Sequence, residues 1–122
     1  MARAILVSDD NAIVRKMLCR LFDAEEDYEI CAEATNGQEA IDLAQLHKPD
    51  LIILDLSMPV MNGLDAAREL KRLRPHVPII LFTQYAEIGS RLGITNLNVD
   101  RIVSKSEASS LMGHVRSLVP AW

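Results

Sequence analysis

The sequence has no surplus of positive charge: 13 Lys and Arg stand against 17 Asp and Glu, for a net charge of −4. That balance argues against direct nucleic-acid binding by this domain, which would need a basic patch. Cysteine is scarce as well. Cys19 and Cys31 lie in different apolar segments without metal-ligand spacing and are read as buried, reduced thiols. No apolar run approaches the length of a membrane span, and Met1-Ala2-Arg3 leads straight into a short apolar run rather than a signal-peptide pattern. The expected setting is cytoplasmic, with no membrane partner. Repeats, low-complexity runs and linkers are missing, so residues 1–122 are expected to form a single domain that folds without disulfides or a structural metal. His47, His76 and His114 show no partner pattern and are read as surface residues.

What is present is an alternation of strand and helix patterns. Ala4 to Val7 is apolar and ends at Ser8-Asp9-Asp10, a first strand and its exit loop. Ile13, Val14, Met17, Leu18, Leu21 and Phe22 recur at helical spacing and predict an amphipathic helix, with Arg15, Lys16, Arg20 and Asp23 on its polar face. Tyr28 to Ala34 alternates, as an edge strand does. Asn36 and Glu39 resemble a capping box, with Glu39 reaching back to open a second helix through Ile41, Leu43, Ala44 and Leu46. Leu51 to Leu54 is continuously apolar, the pattern of a strand buried on both faces. It runs into Asp55 and a loop marked by Pro59 and Asn62-Gly63.

Leu64, Ala67, Leu70 and Leu73 mark a third helix, and Pro78 to Phe82 a fourth strand ending at Thr83. Between Gln84 and Asn98, Ala86, Ile88 and Leu92 suggest a short helix that Gly89 and Gly93 weaken. Val99 to Val103 predicts a fifth strand leading to Ser104-Lys105, and Leu111, Met112, Val115 and Leu118 a last helix ended by Pro120.

Five such units imply an α/β fold, a flavodoxin-like (βα)5 three-layer sandwich around a parallel five-stranded sheet of order 2-1-3-4-5. Parallel strands present their carboxyl ends on one edge. Asp9 and Asp10, Asp55, Thr83 and Lys105 follow strands 1, 3, 4 and 5, so they are expected to converge there. Three carboxylates together repel; at about 4 Å and an effective dielectric near 20, each pair costs roughly 4 kcal/mol. Such a cluster calls for a hard cation, Mg²⁺ foremost, because its donors are oxygens without nearby His or Cys. With an ammonium and a hydroxyl added, the set suits a phosphoryl group on a carboxylate nucleophile.

The motifs SDDN at 8–11, LDLSMPVMNG at 54–63, the strand-end Thr83 and SKSE at 104–107 together resemble the response-regulator receiver domain, over nearly the whole chain. The resemblance implies a signalling domain of a two-component phosphorelay rather than an enzyme in its own right. It implies that Asp55 is the phosphoacceptor and that Asp10 and Asp55 ligate Mg²⁺ (or Mn²⁺). The Ser57 backbone carbonyl would be a further ligand, and Asp9 would help through water or Lys105. Lys105 would bind the phosphoryl group and Thr83 would swing toward it. The implied partners are a histidine kinase or phosphotransfer protein as donor, and an output domain or target protein. The target would meet the face formed by the helix after strand 4, strand 5 and the last helix, where a phosphorylation-dependent homodimer is a further expectation.

Three positions depart from the family pattern. Ile102 replaces the usual aromatic three residues before the Lys; Tyr85 is a candidate substitute switch residue that would also crowd the path of hydrolytic water, set against the plainer reading of a surface-packing Tyr. Ser106 replaces the usual Pro, and the bulkier Gln84 follows Thr83. These bear on the output step, and they keep alive the alternative of a receiver-like interaction module that signals without phosphorylation. A haloacid-dehalogenase-like phosphatase is disfavoured because Ser57 stands where its general acid would be. A flavodoxin is disfavoured because Asp9 and Asp10 would repel a flavin phosphate.

Overall fold

A computed structural model of the protein describes residues 2–84 and 98–121. Its strands are β1 (Arg3–Ser8), β2 (Tyr28–Ala34), β3 (Leu51–Leu54), β4 (Ile79–Thr83) and β5 (Arg101–Ser104). Its helices are α1 (Ala12–Asp23), α2 (Gly37–His47), α3 (Gly63–Leu73) and α4 (Leu111–Leu118), the last preceded by a 3-10 helix at Lys105–Ser110. Every strand pair is parallel and the order is β2-β1-β3-β4-β5. The expected helix within Gln84–Asn98 lies almost wholly outside the described residues.

The apolar runs explain the layering. Ile5 to Val7, Leu51 to Leu54 and Ile79 to Phe82 are almost fully buried, as strands covered on both faces must be. Leu6, Ile52, Leu54 and Leu81 pack under α2 and α3, while Val7, Ile53, Ile80 and Phe82 pack under α1 and α4. β2 is an edge strand, and its register against β1 shifts between Ile5 and Leu6, leaving Cys31 as an extra residue. A bulge of this kind, with exposed Glu29 and Glu33, discourages pairing with another chain.

Several expectations are corrected. Ile13 is 78% exposed, Met17 is partly exposed and Leu46 is 72% exposed, so the buried stripes of α1 and α2 are narrower than their apolar residues suggest. The core face of α1 rests on Leu18 and Phe22. Cys19 and Cys31 are free but half-buried, and His114 is half-buried rather than fully at the surface. The fifth strand is shorter than expected, beginning at Arg101. Among the described residues no helix is long and apolar enough to cross a membrane.

Candidate functional site

The site forms where β1 and β3 lie side by side and both end in a carboxylate. The ladder continues into each: the Asp55 N–H donates to the Ser8 carbonyl at 2.9 Å, and the Asp9 N–H to that of Ala34 at 3.0 Å. Both side chains are buried, while Asp10 beside them is exposed. One carboxylate oxygen from each of Asp9, Asp10 and Asp55 lies within 4.8 Å of the others. Lys105 reaches in from the end of β5, with Nζ 2.8 Å from Asp9 Oδ2 and 3.4 Å from Asp55 Oδ1. Backbone donors hold the carboxylates further, Asn11 N–H to Asp9 Oδ1 and Leu56 N–H to Asp55 Oδ1, each at 2.9 Å.

Above the carboxylates is a polar cavity of about 190 Å³, lined by Asp9, Asp10, Asn11, Asp55, Ser57, Gln84 and Lys105. A larger cleft of about 310 Å³ between Arg3, Asp50, His76 and Pro120 opens at the opposite edge of the sheet and gathers no such cluster among the described residues, so size does not mark the site.

Burial raises the pKa of Asp55, the charge of Asp9 raises it further, and Lys105 and the Leu56 N–H only partly offset this. Burial pulls the Lys105 ammonium down, but its contacts with Asp9 and Asp55 outweigh that and hold it above its ordinary value. Burial is the larger cause for Asp55; the negative charge that one ammonium leaves uncompensated shows in the Asp9 contribution to that rise and in the raised Lys105. The donor set is all oxygen, the chemistry of a hard divalent cation such as Mg²⁺, so these residues fit the ion the sequence suggests.

The loop after β3 is fixed by close backbone contacts. The Gly63 N–H donates to the Leu56 carbonyl at 2.9 Å, and a Cβ on Gly63 would lie 2.0 Å from the Asp55 carbonyl oxygen. The Gly37 N–H donates to the Met61 carbonyl at 2.8 Å, where a Cβ would lie 2.4 Å away. Between them Val60 is held at φ 66°, a left-handed conformation that β-branched residues rarely adopt. The Ser8 hydroxyl lies 3.2 Å from the Met58 sulfur, which seats the loop on the end of β1.

Asp9, Asp10, Asp55, Ser57 and Lys105 are thus brought together, with Ser57 exposed at the rim. Thr83 ends β4 fully buried and in register with Ser104, outside the cavity lining. Ile102 is half-buried on the α2–α3 side of the sheet, and Tyr85 lies outside the described residues.

Sequence reasoning passed over two participants. Asn11 lines the cavity while its side-chain oxygen caps α1 at Ile13 and Val14. Arg15 donates to the Asp9 carbonyl at 2.8 Å and pairs with Glu33 at 3.3 Å. An Asn directly before a helical pattern is a readable cap signal. Nothing in the pattern distinguishes Arg15 from its solvated neighbours.

The family model for the response regulator receiver domain matches residues 5–116. Transcriptional regulatory protein PdtaR of Mycobacterium tuberculosis is 48% identical over 84 residues, which are 67% of this chain and 40% of that protein. A protein-glutamate methylesterase/protein-glutamine glutaminase of Pyrococcus abyssi is 37% identical over 110 residues, 88% of this chain and 30% of its own length. The chain therefore spans less than half the length of these relatives. The solved structure of response regulator protein TrrA from Thermotoga maritima, in complex with Mg(2+)-BeF, has a TM-score of 0.86 at 35% identity and covers 96% of this chain and 99% of that one.

Proposed function

The chain belongs to the response regulator receiver domain family, and from that premise we propose that it accepts a phosphoryl group on Asp55 from the phosphohistidine of a partner kinase or phosphotransfer protein. The observation that carries this reading is the shared cavity of Asp55, Lys105 and the Asp9–Asp10 pair. An Asp55 carboxylate oxygen attacks phosphorus as the phosphorus–nitrogen bond breaks, and the imidazole leaves with the electron pair. Lys105, already beside Asp55 Oδ1, pairs with the transferred phosphoryl oxygens. Asp10, Asp55 and the Ser57 carbonyl would hold Mg²⁺ or Mn²⁺, with Asp9 aiding through water; when bound, the ion neutralises charge on the carboxylates and the phosphoryl oxygens.

The acyl phosphate then draws Thr83 toward it and biases a pre-existing equilibrium at the face that includes β5 and Ile102. An output domain, a target protein or a second phosphorylated copy would read that face. Residues 1–122 act as one receiver domain in this reading. A cytoplasmic setting, where thiols stay reduced, suits free Cys19 and Cys31.

Labelling with acetyl phosphate, followed on a phosphate-affinity gel, tests the assignment. Wild type is expected to shift only with Mg²⁺ present, and Asp55→Asn not at all. Equal labelling of the two proteins removes Asp55 from the role. A wild type that takes no label from acetyl phosphate or a kinase favours the interaction module that works unphosphorylated.

A further inference from the structure

Among the described residues, most groups lining the cavity already have a partner or a charge that assigns them. Lys105 is committed to Asp9 and Asp55, Asp9 and Asp10 belong to the acidic cluster, and Asn11 spends its side-chain oxygen on the N–H groups of Ile13 and Val14. Ser57 has only a short hydroxyl at the rim. Gln84 is different: it is exposed, stands one residue beyond buried Thr83, is among the residues lining the cavity, and carries an uncharged side chain that both donates and accepts hydrogen bonds.

We propose that Gln84 supplies the carboxamide that orients the water hydrolysing the acyl phosphate on Asp55, so that this chain carries its own signal-terminating residue. The inference rests on the phosphoryl reading of Asp55 and adds a residue to its off-step. A phosphoryl group on Asp55 would enter the 190 Å³ cavity, which exposed Gln84 also lines, so water arriving from solvent would meet both. The side-chain oxygen accepts a water O–H while the amide NH₂ donates to a phosphoryl oxygen, aiming the water oxygen at phosphorus. A carboxamide is not basic at neutral pH, so it positions the water without taking its proton. The water oxygen bonds to phosphorus as the bond from phosphorus to the Asp55 oxygen breaks. The carboxylate leaves with the electron pair, and the water's protons depart on inorganic phosphate, released as dihydrogen phosphate. Glutamine orients the attacking water in this way in GTP hydrolysis.

A purely steric Gln84 makes the opposite prediction, since a side chain that only narrows the mouth would slow water entry and its removal would speed hydrolysis. The test uses wild type, Gln84→Ala and Gln84→Leu, the last keeping the bulk without the amide. Each is phosphorylated with acetyl phosphate and Mg²⁺, desalted, and followed by phosphate-affinity gel. Lifetimes about tenfold longer in both variants are expected, the scale of losing one hydrogen bond in the transition state. A shorter lifetime in Gln84→Ala, or a Gln84→Leu lifetime equal to wild type, overturns the role. Label that forms and decays alike in all three overturns this inference alone, whereas a wild type that never takes label overturns the phosphoryl reading and this inference with it.

Discussion

A single atom decides how the Asp55 loop can be built. Gly63 starts α3, where alanine would ordinarily be welcome, yet its missing Cβ would sit 2.0 Å from the Asp55 carbonyl oxygen and 3.0 Å from Leu56 Cα. Both neighbours are backbone, so relief requires moving the residue that carries the acceptor carboxylate. Gly63→Ala is expected to cost about 3 kcal/mol, the upper range of forced overpacking, and to lower the extent of Asp55 labelling. Gly113 is the built-in control: it lies in α4, and a Cβ there would meet nothing within 4 Å. Gly113→Ala is therefore expected to stabilise by about 0.5–1 kcal/mol through helix propensity alone. Urea unfolding of the two variants reads both signs. A Gly63→Ala midpoint equal to wild type would show that the loop gives way at no cost. The Asn62-Gly63 pair was legible as a turn, but this clash was not, because it depends on how closely α3 returns over the end of β3.

At the scale of the element, α2 shows how local chemistry starts a helix. Asn36 Oδ1 accepts the Glu39 N–H at 2.8 Å, as a cap residue does. Glu39 reaches back, but to Thr35 rather than to Asn36: its Oε1 accepts both the Thr35 N–H and hydroxyl at 2.7 Å. The Thr35 hydroxyl, then its N–H, hold the Glu39 carboxyl below its ordinary pKa. A folded-state pKa below the unfolded one contributes stability that is present above the unfolded value and lost as pH falls through the folded one. Glu39 is exposed, so the contribution is small, about a few tenths of a kcal/mol. Glu39→Gln is therefore expected to unfold slightly earlier at pH 7, with the deficit shrinking toward pH 3. Asn36→Ala is expected to cost about 1 kcal/mol at both pH values. Thermal melts at the two pH values check this; a Glu39→Gln deficit that persists unchanged at pH 3 would assign the effect to something other than charge.

Other elements show where periodicity stops informing. It marks a helix face without giving its width. Ile13, Met17 and Leu46 share the apolar spacing of their helices, yet the sheet reaches only the inner residues, such as Leu18 and Phe22 in α1 and Ala40 and Ala44 in α2. The 3-10 segment Lys105–Ser110 escaped notice because its residues carry no apolar period. Hydroxyl contacts shape it instead, with Ser104 Oγ accepting the Ser106 N–H at 3.2 Å and the Ser110 hydroxyl donating to the Glu107 carbonyl at 2.8 Å.

For the whole molecule, strand order does what no segment can. The carboxylates after β1 and β3 are distant in sequence and meet because those strands are neighbours, which is why the site was readable once five βα units had been recognised. The contacts that the Asn11 N–H and Arg15 make with Asp9 were not, since local conformation rather than topology sets them. The same convergence places like charges together at the sheet edge, against the stability of the fold. A divalent cation that binds the folded state and not the unfolded chain reverses this, adding about 2.7 kcal/mol at a hundred times its dissociation constant. Mg²⁺ is therefore expected to raise the urea midpoint of wild type. Asp10→Asn removes one charge from an exposed position, so in the absence of the ion it is expected to match or exceed wild type, and to gain much less when Mg²⁺ is added. A Mg²⁺ increment equal in the two proteins would mean that the ion binds away from Asp10. Because this readout needs no phosphoryl donor, it separates cation binding at the cluster from acceptance at Asp55, which share the same carboxylates but not the same chemistry.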